Sequence, residues 1–219
     1  MRRQVPRSPV NTRRRPQQSR ARQTSRALQD AFVRLLTEQD YDTITIREIV
    51  NVAGTGLGSF YEYFASKEHL ARVCIHLRTK ALLLIVRATR SRLTCCPLAT
   101  MVQAVAQPLL SVHRDQPAQW AVHYFLERKL SDVAAYSKMY ERFVQEWVRV
   151  IELISDRICT SPIETARTCQ TITYALFSHT HIRSLAGAGP PDLECLSKQL
   201  RFALTGYLQV ATDPVAVNR

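Results

Sequence analysis

Apolar residues recur at intervals of three and four along most of the chain, and the places where that rhythm breaks divide it into helical segments. The first stripe is Ala27, Leu28, Ala31, Phe32, Leu35 and Leu36, one face of a helix expected from about Ser19 to Gln39. Asp40 is its expected left-handed terminator, and Tyr41 heads a short connection to Thr45. A second helix is expected at Thr45, because Thr45-Ile46-Arg47-Glu48 has the form of a capping box: the hydroxyl satisfies a free amide and Glu48 reaches back to the cap. Its inward stripe is Ile46, Ile49, Val50 and Ala53, and Gly54, free to take positive φ, ends it. Thr55-Gly56 is a tight turn before a third, short helix from Leu57 to Phe64. There Leu57, Phe60, Tyr61 and Phe64 share a side, leaving Gly58, Ser59, Glu62 and Tyr63 toward solvent or a ligand. Ser66 caps a fourth helix that continues to about Arg92.

Further helices follow. Pro97 to Arg114 carries Leu98, Met101, Val102, Val105 and Leu109 on one stripe, with a kink expected at Pro108. Pro117 opens the next, which reaches about Leu130; Ser131-Asp132 caps one expected to extend to Ile158. Ser161-Pro162-Ile163-Glu164 reads as a second capping box with proline at the first helical position, starting a helix to about Ala186. After Gly187-Ala188-Gly189-Pro190 a last helix spans about Pro191 to Val210. Strand alternation and internal repeats are lacking, so the expected fold class is all-α.

Composition narrows the function classes. The formal net charge of +12 is concentrated: nine of the 30 Lys and Arg residues fall within the first 26 positions, which leaves +3 for the rest (12 minus 9). The first acid is Asp30. Such an arm, if not simply solvated, suits a polyanion, either nucleic acid or an anionic membrane surface. Pro6, Pro9 and Pro16 argue against an amphipathic targeting helix in it. The longest apolar run, Ala81 to Val86, is far short of the roughly 20 residues a bilayer requires. Six cysteines without a regular framework fit a reducing, cytoplasmic setting. An enzyme would need a phosphate-cradling glycine loop, a metal cluster or a nucleophile with its base, and these are lacking. His179 and His181, two apart on a helix, point to different sides and make a poor metal pair. No cofactor and no metal are expected. A redox sensor at Cys74 or Cys95-Cys96 and a protein-interaction adaptor remain as alternatives.

Two short helices with a glycine turn between them, a helix in front and a basic arm upstream, are what a helix-turn-helix requires. A third helix of about eight residues can offer two or three side chains to base edges while its neighbours hold phosphates. The stretch Ile44-Thr45-Ile46-Arg47-Glu48-Ile49-Val50-Asn51-Val52-Ala53-Gly54-Thr55-Gly56-Leu57-Gly58-Ser59-Phe60-Tyr61-Glu62-Tyr63-Phe64-Ala65-Ser66-Lys67-Glu68-His69-Leu70 closely resembles the signature of TetR-family transcriptional regulators. Within that likeness Asp40 stands where glycine is usual, Val50 where alanine is, and Gly56 in place of the common serine cap. The resemblance implies roles. Thr45 caps the second helix at the DNA face and Arg47 reaches a phosphate or a guanine edge. Leu57 and Tyr63 meet bases or thymine methyls, Gly58 allows close approach, and Ser59 and Tyr61 give hydroxyls to phosphates. Glu62 reads cytosine or simply solubilises, and Lys67 adds a cation for another phosphate. The arm would enter an adjacent minor groove or add phosphate contacts.

The chain is expected to divide into an Arg-rich arm (1–19), disordered because it is polar, Pro-containing and aperiodic, a helix-turn-helix domain (20–66), a helical regulatory and dimerisation domain (67–210) and a flexible tail (211–219). One recognition helix reads too few base pairs alone, so a homodimer on a palindromic double-stranded operator is expected. By resemblance its interface is formed by Ile172, Ala175, Leu176 and His179 on one helix, and by Leu196, Leu200, Ala203, Leu204 and Tyr207, with Leu193, on the last. Trp120, Tyr124, Phe125, Phe143, Trp147, Tyr174 and Phe177 are enough aromatic mass to line an apolar cavity, with His113, His123 and Tyr124 able to orient a ligand. In the family a small molecule there releases DNA, which makes a ligand-responsive repressor the expected function.

Overall fold

The structure, a computed structural model, describes residues 14–156 and 160–212. Among them the helices are α1 (Arg14–Glu38), α2 (Ile46–Val52), α3 (Leu57–Tyr63), α4 (Lys67–Arg90), α5 (Leu98–Asp115), α6 (Pro117–Leu130), α7 (Val133–Ile151), α8 (Pro162–Leu185) and α9 (Leu193–Thr212). β-pairing among the described residues is confined to one isolated parallel bridge, Cys96 with Ile154, so the fold is all-α. Contacts divide the chain into two compact units, Met1–Leu70 and Ala71–Arg219, the boundary falling inside α4.

In the first unit, Leu28, Phe32, Leu35 and Leu36 of α1 form the predicted stripe and are buried with Tyr41, Ile44, Ile49, Val50, Phe60, Phe64 and Leu70. The helix begins at Arg14, ahead of the expected Ser19. Pro16 does not prevent this, because in a first turn its missing N–H would have no intrahelical acceptor. Residues 14–19 of the expected arm are thus helical, and residues 1–13 lie outside the described residues. Asp40 does not take the left-handed conformation, since among the described residues the positive φ values belong to glycines alone. Its carbonyl instead closes a turn, accepting from the Thr43 amide at 3.1 Å and the Thr43 hydroxyl at 2.8 Å.

The second unit packs α8 against α6, α7 and α9, and α9 against α5. Trp147, Met101, Leu196, Leu200 and Leu204 are among its most deeply buried side chains. Glu146 is buried between two arginines, with Arg87 Nε at 2.6 Å and Arg149 Nη1 at 2.8 Å, so its charge is compensated twice. Asp132 caps α7 as expected, accepting from the Ala135 amide at 2.7 Å. The helix nevertheless ends at Ile151 rather than Ile158, because the chain leaves it to pair with residue 96: Cys96 N donates to Leu153 O and Ser155 N to Cys96 O, each at 2.9 Å. Ser161 makes no side-chain cap on α8, correcting the second capping box. Its carbonyl takes the Thr165 amide and hydroxyl, both at 3.0 Å. α9 starts two residues late, at the cap supplied by Asp192, which accepts from Glu194 N at 3.1 Å and Cys195 N at 2.9 Å. It runs to Thr212, so the first two residues of the expected tail are helical and the remainder lies outside the described residues.

Candidate nucleic-acid interface and effector cavity

The short helices of the first unit are locked by their ends. Thr45 accepts the Glu48 amide at 3.2 Å while Glu48 Oε2 accepts the Thr45 amide at 2.7 Å, which completes the capping box. The Thr45 hydroxyl and amide, by donating to the Glu48 carboxylate, hold its pKa below the usual value. At the other end of α2, Gly54 sits at φ 65°. The Gly54 amide reaches Asn51 O at 3.1 Å and the Thr55 amide reaches Val50 O at 2.9 Å, the two bonds of a Schellman motif. That motif turns the chain into α3 at a fixed angle.

On α3 the buried side is narrower than the sequence suggested. Phe60 and Phe64 are buried with rings 5.8 Å apart, but Leu57 is 43% and Tyr61 56% exposed. Phe60 within the seven-residue helix and Phe64 at its C-cap are its buried anchors, while Leu57 at the first position of the helix and Tyr61 next to Phe60 remain exposed. The Tyr61 ring leans edge-on against Phe60 at 5.5 Å, so an exposed side chain is oriented by a buried one. Leu57, Gly58, Tyr61 and Glu62 are exposed together with Thr45 and Arg47, and Ser59 and Tyr63 are half-buried beside them. A Cβ built on Gly58 would meet nothing within 4 Å, so intramolecular packing does not require a glycine there.

Lys67 departs from its expected role. Its ammonium donates to Ile44 O at 2.6 Å and Tyr41 O at 2.7 Å, lies 3.4 Å from Asp42 O, and sits 4.5 Å over the Tyr41 ring. A lysine has three N–H donors, and these carbonyls use them. Its side chain therefore ties the α1–α2 connection to the start of α4, where Ser66 caps the helix by accepting from the His69 amide at 3.0 Å.

The second unit contains a cavity of about 40 Å³ lined by Tyr124, Phe143, Trp147, Tyr174 and Phe177, together with His113, His123 and Glu127. Trp120 is buried but stands behind this wall, stacked on His113 at 4.3 Å with its Nε1 donating to Val112 O at 2.8 Å. Phe125 is 42% exposed on the outer side of α6. Consecutive helical residues point about 100° apart, so Tyr124 and Phe125 cannot share one cavity. His113 donates from Nδ1 to Leu109 O at 2.6 Å and accepts the Tyr124 hydroxyl at Nε2 at 2.9 Å. Burial pushes the pKa of both His113 and His123 down to about 3, so both rings are neutral. The sequence reading overlooked Glu127, although His123, Tyr124 and Glu127 fall on one helical stripe with Trp120 and an acid on an apolar face was a visible signal. It also set His181 aside; that side chain is fully buried, donates from Nδ1 to Phe177 O at 2.9 Å and leaves Nε2 without a partner. Among the described residues no group of His, Cys, Asp and Glu has metal-holding geometry. Cys95 is exposed and Cys96 buried, while burial raises the Cys169 thiol to about 12.

The positions predicted for dimerisation fall into two sets. Leu196, Leu200 and Leu204 are at most 1% exposed and belong to their own subunit's core, correcting their assignment to an interface. Ala175 and His179 are exposed, and Ile172, Leu176, Ala203 and Tyr207 half-buried, on the outer faces of α8 and α9. Phe202 and Val210, which the sequence reading did not select, are 73% and 54% exposed on α9.

A short helix that is seated by aromatic residues, locked through a Schellman turn to the helix before it and bare on its outer face is a helix-turn-helix, and the class of protein it defines is a DNA-binding regulator. Residues 28–74 match the model of the family described as bacterial regulatory proteins, tetR family. The chain is 23% identical over 180 residues to the uncharacterized HTH-type transcriptional regulator YwcC of Bacillus subtilis (strain 168), covering 77% of this chain and 81% of that protein. A TetR-family transcriptional regulator from Mesorhizobium loti MAFF303099 has a similar fold, with a TM-score of 0.63 at 13% identity over 87% of this chain and 98% of that one. So does a gamma-butyrolactone receptor described as an ArpA like protein, with a TM-score of 0.51 at 16% identity over 83% of this chain and 98% of that one. Residues 28–74 thus carry a helix-turn-helix of the tetR type, and the chain as a whole resembles TetR-family transcriptional regulators in sequence and in fold.

Proposed function

We propose that this regulator binds a palindromic operator as a homodimer and represses transcription until a small apolar effector occupies the cavity of the second unit. The observation that carries the DNA-binding part is the bare outer face of α3, where Leu57 and Tyr61 stay in solvent although both are large and apolar enough to be buried. Leu57 and Tyr63 meet bases, Ser59 and Tyr61 donate hydroxyls to phosphates, and Arg47, beside the Thr45 cap, supplies the bidentate fork. Glu62 accepts from a cytosine amino group. The missing side chain of Gly58 lets the phosphate backbone approach α3.

The homodimer is supported by the outer faces of α8 and α9, where Ala175, His179, Phe202 and Val210 are exposed and Ile172, Leu176, Ala203 and Tyr207 half-buried. The effector is supported by the aromatic cavity, and by the name of the gamma-butyrolactone receptor that shares the fold. A cavity of about 40 Å³ has room for little more than water, so effector binding must enlarge it and thereby move the helices around it. Selection of bound duplexes from a random pool tests the proposal: a palindromic consensus is expected, and equal retention of all sequences at moderate salt would overturn it.

A further inference from the structure

Glu127 lies where two cavities meet. It lines the inner one and, with Thr79, also a second of about 100 Å³ whose wall includes Arg72, His76, Asp132 and Tyr136. The residue is only 9% exposed, and its side chain has one hydrogen bond among the described residues, from the Tyr174 hydroxyl at 2.8 Å. Burial raises its pKa, against smaller opposing effects from that bond and from Arg128. Arg72 and His76 of α4 line the same outer cavity, but among the described residues neither is hydrogen-bonded or ion-paired to Glu127. Asp132 is 3.7 Å from Arg72, Arg128 follows on α6, and His113 and His123 are neutral. Tyrosine rings share the walls of these cavities: Tyr124 and Tyr174, 5.9 Å apart, line the inner one with Glu127, and Tyr136, 6.0 Å from Tyr174, lines the outer one. A carboxylate removed from water without a cation is costly, and aromatic faces attract cations. A Glu127 carboxylate would repel an anionic ligand and would gain no countercharge from a neutral one, whereas a cation would favour the ionised form.

We propose that the effector is an apolar molecule carrying a basic nitrogen, whose ammonium seats on the Glu127 carboxylate among the rings of Tyr124, Tyr136 and Tyr174. Its hydrocarbon part lies against Phe143, Trp147 and Phe177. Displacement of the Tyr174 hydroxyl from Glu127 joins the two cavities and admits the ligand. This inference names the chemistry of the effector site proposed above and rests on that reading.

The experiment uses the full chain and three probes with similar skeletons: 2-phenylethylamine, 2-phenylethanol and 3-phenylpropanoate. Calorimetry should give the amine at least tenfold tighter binding than the alcohol at pH 7, and the carboxylate the weakest. Glu127→Gln should abolish the preference for the amine while melting no lower than the parent, because the amide has nearly the same shape, can still accept from the Tyr174 hydroxyl and carries no charge that burial would penalise. Tyr174→Phe keeps the ring, frees the carboxylate and should retain amine binding. Equal affinities for amine and alcohol in the parent chain, or an amine preference that survives Glu127→Gln, would overturn the proposal. If Glu127→Gln does not fold, the parent comparison and Tyr174→Phe still decide. Anisotropy with a duplex selected from a random pool separates the two readings. Sequence-specific DNA binding without amine preference sinks the ligand class alone, whereas amine preference without DNA binding sinks the regulator reading and leaves the subsite.

Discussion

Gly58→Ala should make the protein more stable and a worse DNA binder. Gly58 is the second residue of α3, is exposed, and has no positive φ; a methyl there would meet nothing within 4 Å. Replacing a glycine in helical conformation removes backbone freedom from the unfolded chain and stabilises by about 0.4–1 kcal/mol. If the duplex backbone approaches this position as proposed, the same methyl enters a closely packed contact, where overpacking costs about 1–3 kcal/mol. That loss corresponds to a Kd weaker by roughly five- to 150-fold. Urea denaturation reads the first effect and fluorescence anisotropy at fixed salt on a selected duplex reads the second. The opposite signs are diagnostic, since unfolding cannot explain weaker binding by a more stable protein. Unchanged affinity in the stabilised variant would refute the placement of α3 against DNA.

Three further outcomes are expected. Lys67→Met should destabilise the first unit by about 1–3 kcal/mol, because three backbone carbonyls lose a charged donor, yet leave the salt slope of DNA binding unaltered; a shallower slope would return Lys67 to the phosphate-contacting set. Phe202→Ser should shift sedimentation toward monomer without lowering the monomer's stability, whereas Leu200→Ala should cost about 2–5 kcal/mol of stability by opening a core cavity; the reverse pattern would mean that the core and interface faces of α9 are misassigned. His113 and His123 have folded pKa values pushed by burial to about 3, below the ordinary histidine value near 6.5, so the unfolded chain binds more protons between those limits. Stability is full above pH about 6.5 and falls as pH drops toward 3, each ring contributing up to about 1.4 kcal/mol per pH unit; His113→Gln should flatten that fall in denaturant titrations, and an unchanged profile would refute the buried neutral ring.

What the sequence determined by itself was local. The capping box at Thr45, the positive φ of Gly54 and the stripe on α1 depend on residues within about one or two helical turns, so spacing alone was enough to read them. The run from Ile44 to Leu70 was legible for the same reason. Tertiary structure decided which side of an apolar element meets a neighbour. Leu196, Leu200 and Leu204 read as interface residues by resemblance, and only the packing of α9 against α5 and α8 turned them inward. Leu57 and Tyr61 shared a stripe with Phe60, but the buried anchors are Phe60 and Phe64, and the other two remain exposed. Lys67 sits between 23 and 26 positions from the carbonyls that capture it, and Glu127 is 47 from the tyrosine that holds it. Helical periodicity specifies the angle of a side chain about its own axis, whereas what occupies that direction is set by chain closure over long separations.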